Sequence, residues 1–460
     1  MQLPIVSTLR ELDGPPRRFL LFIAFNLVSW QCIVGPALIL FARKIDMPAS
    51  WVGFLISFMP LSTILVVITS KLVTRLGPKR VMLSAWFLRN VIACTVFLVP
   101  FAMATRGVHA GWYVLMGSTL AFCLTRALGA GGWFPWLHEV VPARQRAAYF
   151  GTETSVGQLL NVAVSFMLAM VLKGDPSIWR FLSVYATGIF TGLVSLAWMA
   201  RVPGGGVSRG EASRDGNIAS YRSIYRDKGF MRLVLISSLC VSCISWLGSS
   251  IIMYLRDILA FSPALIMTLT AIGGCSVLAT IRSWTRYIER SGSGKTVFLL
   301  LTGHSIAAIA CLGLWPDSAI IPHVPIVVAV IVATSICSAA FGVAVNRAML
   351  DRMDPQRRVT YTNVWTVGTA LGWGLTPILA GHVIEIWGIW GFRACFLVSG
   401  CAGIVCAWGS RRLIAEMQEE ASGAVRHAGA LRRLVAALAE AVTVTAGLEH
   451  SEKTREQPEG

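Results

Sequence analysis

The chain has 460 residues, 55% of them hydrophobic and only 14% charged, with a mean hydropathy of +0.66. Soluble domains carry roughly a quarter charged residues, so this composition excludes an ordinary soluble enzyme or binding module. The formal net charge of +17 raises the question of a polyanionic partner, which the placement of the basic residues answers.

Apolar stretches long enough to cross a ~30 Å hydrocarbon core need ~20 residues each. Twelve are predicted: 19–41, 51–70, 81–102, 112–137, 150–172, 180–200, 231–255, 262–283, 296–315, 323–348, 362–386 and 391–411. The first follows Arg17-Arg18 and has no small-residue cleavage site, so it is expected to be an uncleaved span. With both termini placed in the cytosol, seven basic residues fall outside (Arg43, Lys44, Arg106, Lys173, Arg180, Arg256, Arg393). Two sit deep in spans (Arg89, Arg126), and the other 31 of the 40 are cytosolic. That asymmetry sets orientation and needs no nucleic acid.

Between spans six and seven lies a polar linker, 201–228, with Gly204-Gly205-Gly206. It separates a predicted six-helix unit at 17–200 from a second at 229–413. Beyond, at 414–460, Ile414, Met417, Ala421, Ala424, Ala428, Leu431, Val435, Leu438 and Val442 recur at steps of three and four. This stripe suits an amphipathic helix on the membrane or protein, or a homodimer or partner-protein seam through 414–442, with a disordered end. The eleven cysteines lie almost entirely within spans, where packing is a better account than a metal or redox site.

The two halves echo each other. Lys71-Leu72-Val73-Thr74-Arg75-Leu76-Gly77-Pro78-Lys79-Arg80 follows span two, and Arg286-Tyr287-Ile288-Glu289-Arg290-Ser291-Gly292-Ser293-Gly294-Lys295 follows span eight. Gly77 and Gly292 stand 215 residues apart, Ser29-Trp30 and Ser245-Trp246 stand 216 apart, and Ser155-Val156-Gly157 precedes Thr366-Val367-Gly368 by 211. A duplicated membrane-embedded half marks a two-fold transporter. A second shared phrase leads into spans five and eleven: Glu139, Pro142, Arg144, Arg146 and Tyr149, then Asp351, Pro355, Arg357, Arg358 and Tyr361. It suits loop anchoring, with the tyrosines at the membrane interface. Ser291 to Thr296 imitates the end of a nucleotide-binding loop, but Glu289 occupies the position that needs glycine, so no nucleotide cofactor is expected.

On these features the chain resembles the major facilitator superfamily over about residues 17–413: an all-α membrane protein with two six-helix repeats and a cytosolic linker. The family's loop pattern is Gly-x-Leu-Ala-Asp-Arg-x-Gly-Arg-Lys. Leu72, Arg75, Gly77 and Lys79 match it in the first copy, and Glu289, Arg290 and Gly292 in the second. Ser70 and Thr74 depart from it. The resemblance implies that the missing acid at Thr74 leaves the latch of the outward-facing state to Glu289. It also implies that spans one, four, seven and ten line a central cavity.

Ionisable residues inside a membrane are costly and mark function by default. Arg126 lies about 21 Å along a helix of roughly 39 Å. Its fork of donors suits a carboxylate or phosphate; the alternative is a structural pairing, for example with Glu153. Arg89, in peripheral span three, suits a structural role better than gating. Glu153 is either a proton carrier or the partner of Arg89 or Arg144, and Glu385 is expected to be solvated. His304 suits a core residue. Polar stripes recur at steps of four, three and four: Thr154, Gln158, Asn161 and Ser165; Trp365, Thr369, Gly372 and Thr376; Ser238, Ser242, Ser245 and Ser249. Serine stripes suit packing and cavity equally; the amides suit a cavity. With Asn26, Trp30, Trp246 and Asn346 these are the expected substrate contacts.

The expectation is therefore an alternating-access secondary transporter, not an enzyme, for a small anionic, organic-acid or metal-chelate solute. It would work in a bacterial inner membrane with both termini cytosolic. A cationic drug exporter and a scaffolding or assembly factor of the same fold are the alternatives.

Overall fold

The computed structural model describes residues 14–141, 146–206, 218–315, 320–353 and 357–410. All regular elements among them are helices. The tail beyond Ser410, together with Pro142, Arg144 and Pro355, lies outside the described residues.

Eleven helices are long and apolar enough to cross a membrane; span two makes the twelfth in two pieces. Span one is Gly14–Val34 with Pro36–Lys44, and span two is Ala49–Thr63 with Val66–Leu76. Span three is Pro78–Ala93 with Val99–Arg106, joined by the 3-10 turn Cys94–Leu98. Span four is Val108–Ala130 with Trp133–Val140; spans five and six are Arg146–Val171 and Ile178–Ala200. A linker helix, Ile218–Arg226, precedes span seven, Lys228–Asp257, and span eight, Pro263–Ser291. Spans nine to eleven are Ser293–Ala310, Ile320–Arg352 and Arg358–Trp387, and span twelve is Ile389–Ser410.

The first four spans are broken, and the sequence says why. Pro36 and Pro100 lack the amide that residues 32 and 96 would bond, so a helix cannot run through them unchanged. Near Pro60, the Ser62 and Thr63 hydroxyls both take the Met59 carbonyl, at 2.9 and 3.0 Å, competing with the backbone ladder. Two glycines, Gly131 and Gly132, open span four. Spans seven, eight, ten and eleven instead run unbroken for 30, 29, 33 and 30 residues.

Spans one to six pack together through contacts of one with five and six, four with two and three, and three with six. In the second half, span seven meets eleven, and span ten meets eight and nine. The halves join through span two on eleven and span five on eight, two pairs that a two-fold exchange of the repeats would interconvert. The named contacts between the halves lie away from the linker. A Cβ added at Gly53 would run into the Pro377 carbonyl, one at Gly381 into the Ala49 carbonyl, and one at Gly274 against Val162. Phe54 meets His382 edge to face at 5.8 Å. Arg43 Nε donates to Asp257 Oδ1 at 3.1 Å, and the Ser50 amide donates to Glu385 Oε2 at 3.0 Å. Beside them Lys44 donates to Asp175 at 2.8 Å, which holds that exposed carboxyl below its usual range. Glu385 is exposed, as expected, and also ties span eleven to span two. The linker-side piece of span two, Val66–Leu76, packs instead on spans three and four. The halves are thus tied on the distal side, while the linker-side piece of span two stays with its own half.

Candidate functional site

Arg126 sits one turn before the Gly131-Gly132 break, near the middle of a span four that runs from Val108 to Val140. It is half-buried, and its Nη1 is enclosed without an acceptor. Neither Arg126 nor Glu153 belongs to an ion pair among the described residues, so the pairing of Arg126 with Glu153 is not formed. Nor does Glu153 serve Arg89. The Arg89 Nη2 donates to Asn26 Oδ1, and its guanidinium lies over Trp86 at 4.8 Å and Phe122 at 5.2 Å. Glu153 keeps Oε2 buried without a partner.

In the same half, Gln31 Nε2 donates to Asn161 Oδ1 at 2.8 Å, joining spans one and five. Gln158 is half-buried one turn earlier, and the buried Trp30 Nε1 has no acceptor. Asn26, Trp30, Gln31, Asn161 and Arg126 thus supply polar groups from spans one, four and five. Asn26 brings its amide nitrogen alone, since Arg89 occupies its oxygen.

The stripes of the second half resolve differently. Ser242 and Ser245 hydroxyls reach the Gly372 and Trp373 carbonyls at 3.4 and 3.3 Å. A Cβ at Gly368 would strike Val234. These serines pack span seven on span eleven, which the period alone left open. Trp365 is buried in the apolar core with Phe230, Leu233 and Tyr361, and Trp246 packs against a second core. Asn346 is exposed near the linker end of span ten. His304 is buried without a partner for either ring nitrogen.

The two basic loops share one backbone shape. Gly77 has φ 84° and ψ 143°, and Gly292 has φ 81° and ψ 159°, a region that strains any residue with a Cβ. Replacing either by valine is expected to cost about 1–3 kcal/mol in the loop. It should slow solute transport severalfold while leaving membrane insertion unchanged, as read by uptake against the amount of protein inserted. Arg75, Glu289 and Arg290 are exposed, and none of them is in an ion pair among the described residues. The side chain of Thr74 lies outside the described residues.

Sequence reasoning missed the grip on the linker. The Lys79 amide donates to Gly205 O at 3.0 Å and its Nζ to Val202 O at 2.6 Å. Trp136 Nε1 donates to Pro203 O at 3.0 Å, and Glu139 Oε2 accepts from the Gly205 amide at 2.9 Å. The far end is held by the other half. Asn363 Nδ2 donates to the Tyr221 hydroxyl at 2.9 Å, Arg357 to Ser223 at 2.7 Å and Tyr361 to Asp227 at 3.1 Å. Tyr149 and Tyr361 are buried, so neither is the interfacial anchor the shared phrase suggested. Asp227 also caps Phe230 N at 3.0 Å. Asp227→Ala should therefore weaken the second anchor by about 1–2 kcal/mol, more than Tyr361→Phe, and limited trypsin digestion should cut the linker faster in that order.

Twelve spans in two repeats, joined by span two on eleven and span five on eight, make the framework on which Arg126 sits. The Major Facilitator Superfamily profile matches residues 233–443, and the fold of the described residues is similar to that of solved membrane transporters. A point variant of the nucleoside transporter NupG superposes with a TM-score of 0.65 at 13% identity, covering 89% of this chain and 99% of that one. A D-xylose–proton symporter gives 0.64 at 13%, covering 87% and 98%. A bacterial homologue of the human lysosomal transporter Spinster, inward-facing and unoccupied, gives 0.59 at 14%, covering 92% and 98%. No curated protein matches the sequence.

Proposed function

We propose that the chain is a secondary transporter that moves a small anionic solute of the organic-acid or metal-chelate type by alternating access, with Arg126 as its fixed charge. The observation that carries this is the half-buried Arg126, with an enclosed donor and no ion-pair partner among the described residues. A cation inside a span is costly unless water or an anion meets it, and the guanidinium fork fits a carboxylate or phosphate. Gln158, Asn161 and Trp30 supply neutral contacts to the same solute. A carrier of cations would place acids at this position instead.

The placement of basic residues supports a cytosolic linker and cytosolic ends, and the membrane we propose is a bacterial inner membrane. The ties between the halves on the distal side support a cytosol-open state. Glu153, buried at Oε2 without a partner, is the carboxylate through which proton coupling would run.

Counterflow into proteoliposomes with labelled carboxylates, phosphate esters, neutral sugars and organic cations tests this reading. Saturable exchange restricted to the anions supports it. Exchange restricted to cations would replace it with the drug-exporter alternative.

A further inference from the structure

Arg89 is a second cation in the same neighbourhood, and no acid among the described residues pairs with it. It is fully enclosed. Of its donors, Nη2 reaches Asn26 Oδ1, while Nε and Nη1 are buried with no acceptor. Trp86 joins it to Arg126: the Arg89 guanidinium stacks on that ring, and Trp86 Nε1 donates to the Arg126 carbonyl at 3.4 Å. Phe122, whose ring also carries Arg89, lies one turn before Arg126 on span four. Trp86 thus bridges the Arg89 guanidinium and the backbone of Arg126.

A strut role does not account for this arrangement. One amide oxygen and two aromatic faces leave most of the guanidinium donors unmet, and a buried unpaired charge is strongly unfavourable. Two guanidinium groups with unmet donors, neither paired with an acid among the described residues, form the complement of an oxyanion.

We propose that Arg89 and Arg126 form one subsite for a doubly charged oxyanion group of the phosphate type. Arg126 meets it from the half-exposed side and Arg89 from the enclosed side. This rests on the reading of Arg126 as the solute's charge partner, and adds that the recognised group carries two charges. A monocarboxylate would neutralise one guanidinium and leave the other unmet, whereas a phosphate group carries about −1.5 to −2 at neutral pH.

The test is the melting temperature of the purified protein against inorganic phosphate or acetate, at constant ionic strength and at a pH where phosphate is doubly charged. The wild type should be stabilised saturably by phosphate and far less by acetate. Arg89→Gln and Arg126→Gln should each weaken the phosphate effect by about tenfold or more, the loss of a charge-assisted bond. Without anion, Arg89→Gln should melt no lower than the wild type, because it removes an uncompensated charge. Arg89→Lys, which keeps the charge but not the fork, should fold and still bind phosphate more weakly. Unchanged phosphate stabilisation in Arg89→Gln or Arg89→Lys would overturn the paired subsite, as would the absence of any phosphate effect in the wild type. Equal binding of acetate and phosphate, weakened by Arg126→Gln alone, would leave the Arg126 reading standing and remove Arg89 from it.

Discussion

Gly381→Leu and Gly53→Leu should each reduce transport by well over tenfold, while the protein still inserts and purifies. At both positions spans two and eleven touch backbone to backbone: a Cβ at Gly381 would run into the Ala49 carbonyl, and one at Gly53 into that of Pro377. Close crossings of this kind need small residues because no side chain can yield. A leucine costs about 1–3 kcal/mol of overpacking if the crossing is kept. Separating the halves on the distal face relieves it. That opening also stretches the Arg43–Asp257 pair and the bond from the Ser50 amide to Glu385. The pair is partly exposed and worth about 1 kcal/mol at most, so it does not hold the face shut against the added side chain. The expected phenotype is a carrier biased toward its distal-open state. Labelling of introduced cysteines from the distal side measures it, with accessibility rising beyond that of the wild type.

Arg126→Ala should nearly abolish anion transport, by about ten- to a hundredfold for one lost charge-assisted contact. Arg126→Lys should retain part of it, keeping charge but not the planar fork. Stability separates this from a structural role. Arg126 has no acid partner among the described residues, so its removal strands no carboxylate there, and the melting temperature should change little. A large fall in melting temperature without loss specific to anions would make Arg126 a packing residue.

The architecture was largely written in the chain because hydrocarbon thickness dictates the length of each span and basic residues cannot hide. Breaks announced by Gly35-Pro36 and Pro60 were visible for the same reason: proline lacks an amide wherever it stands. What a period cannot give is the neighbour. The serines at 238, 242, 245 and 249 showed one helical face, but only the fold shows that span eleven covers it. Arg89 and Asn26 are 63 residues apart on different spans, so no local pattern links them. Tyr149 and Tyr361 follow basic loops, which suggested an interfacial place; the bundle buries both. Lys79 belongs to a loop motif, yet its work of holding the linker depends on a strand of backbone more than a hundred residues away.

The central claim is that the halves turn as units about the site, so that closing one face opens the other. Spin-label distances in lipid nanodiscs test it directly, with a distal pair at Val108 and Ile386 and a linker-side pair at Leu76 and Leu350, all exposed positions, in wild type and Gly381→Leu. The account predicts that the variant lengthens the distal distance and shortens the linker-side one together. A longer distal distance with an unchanged linker-side distance would show local unpacking instead, and would contradict alternating access by rigid halves.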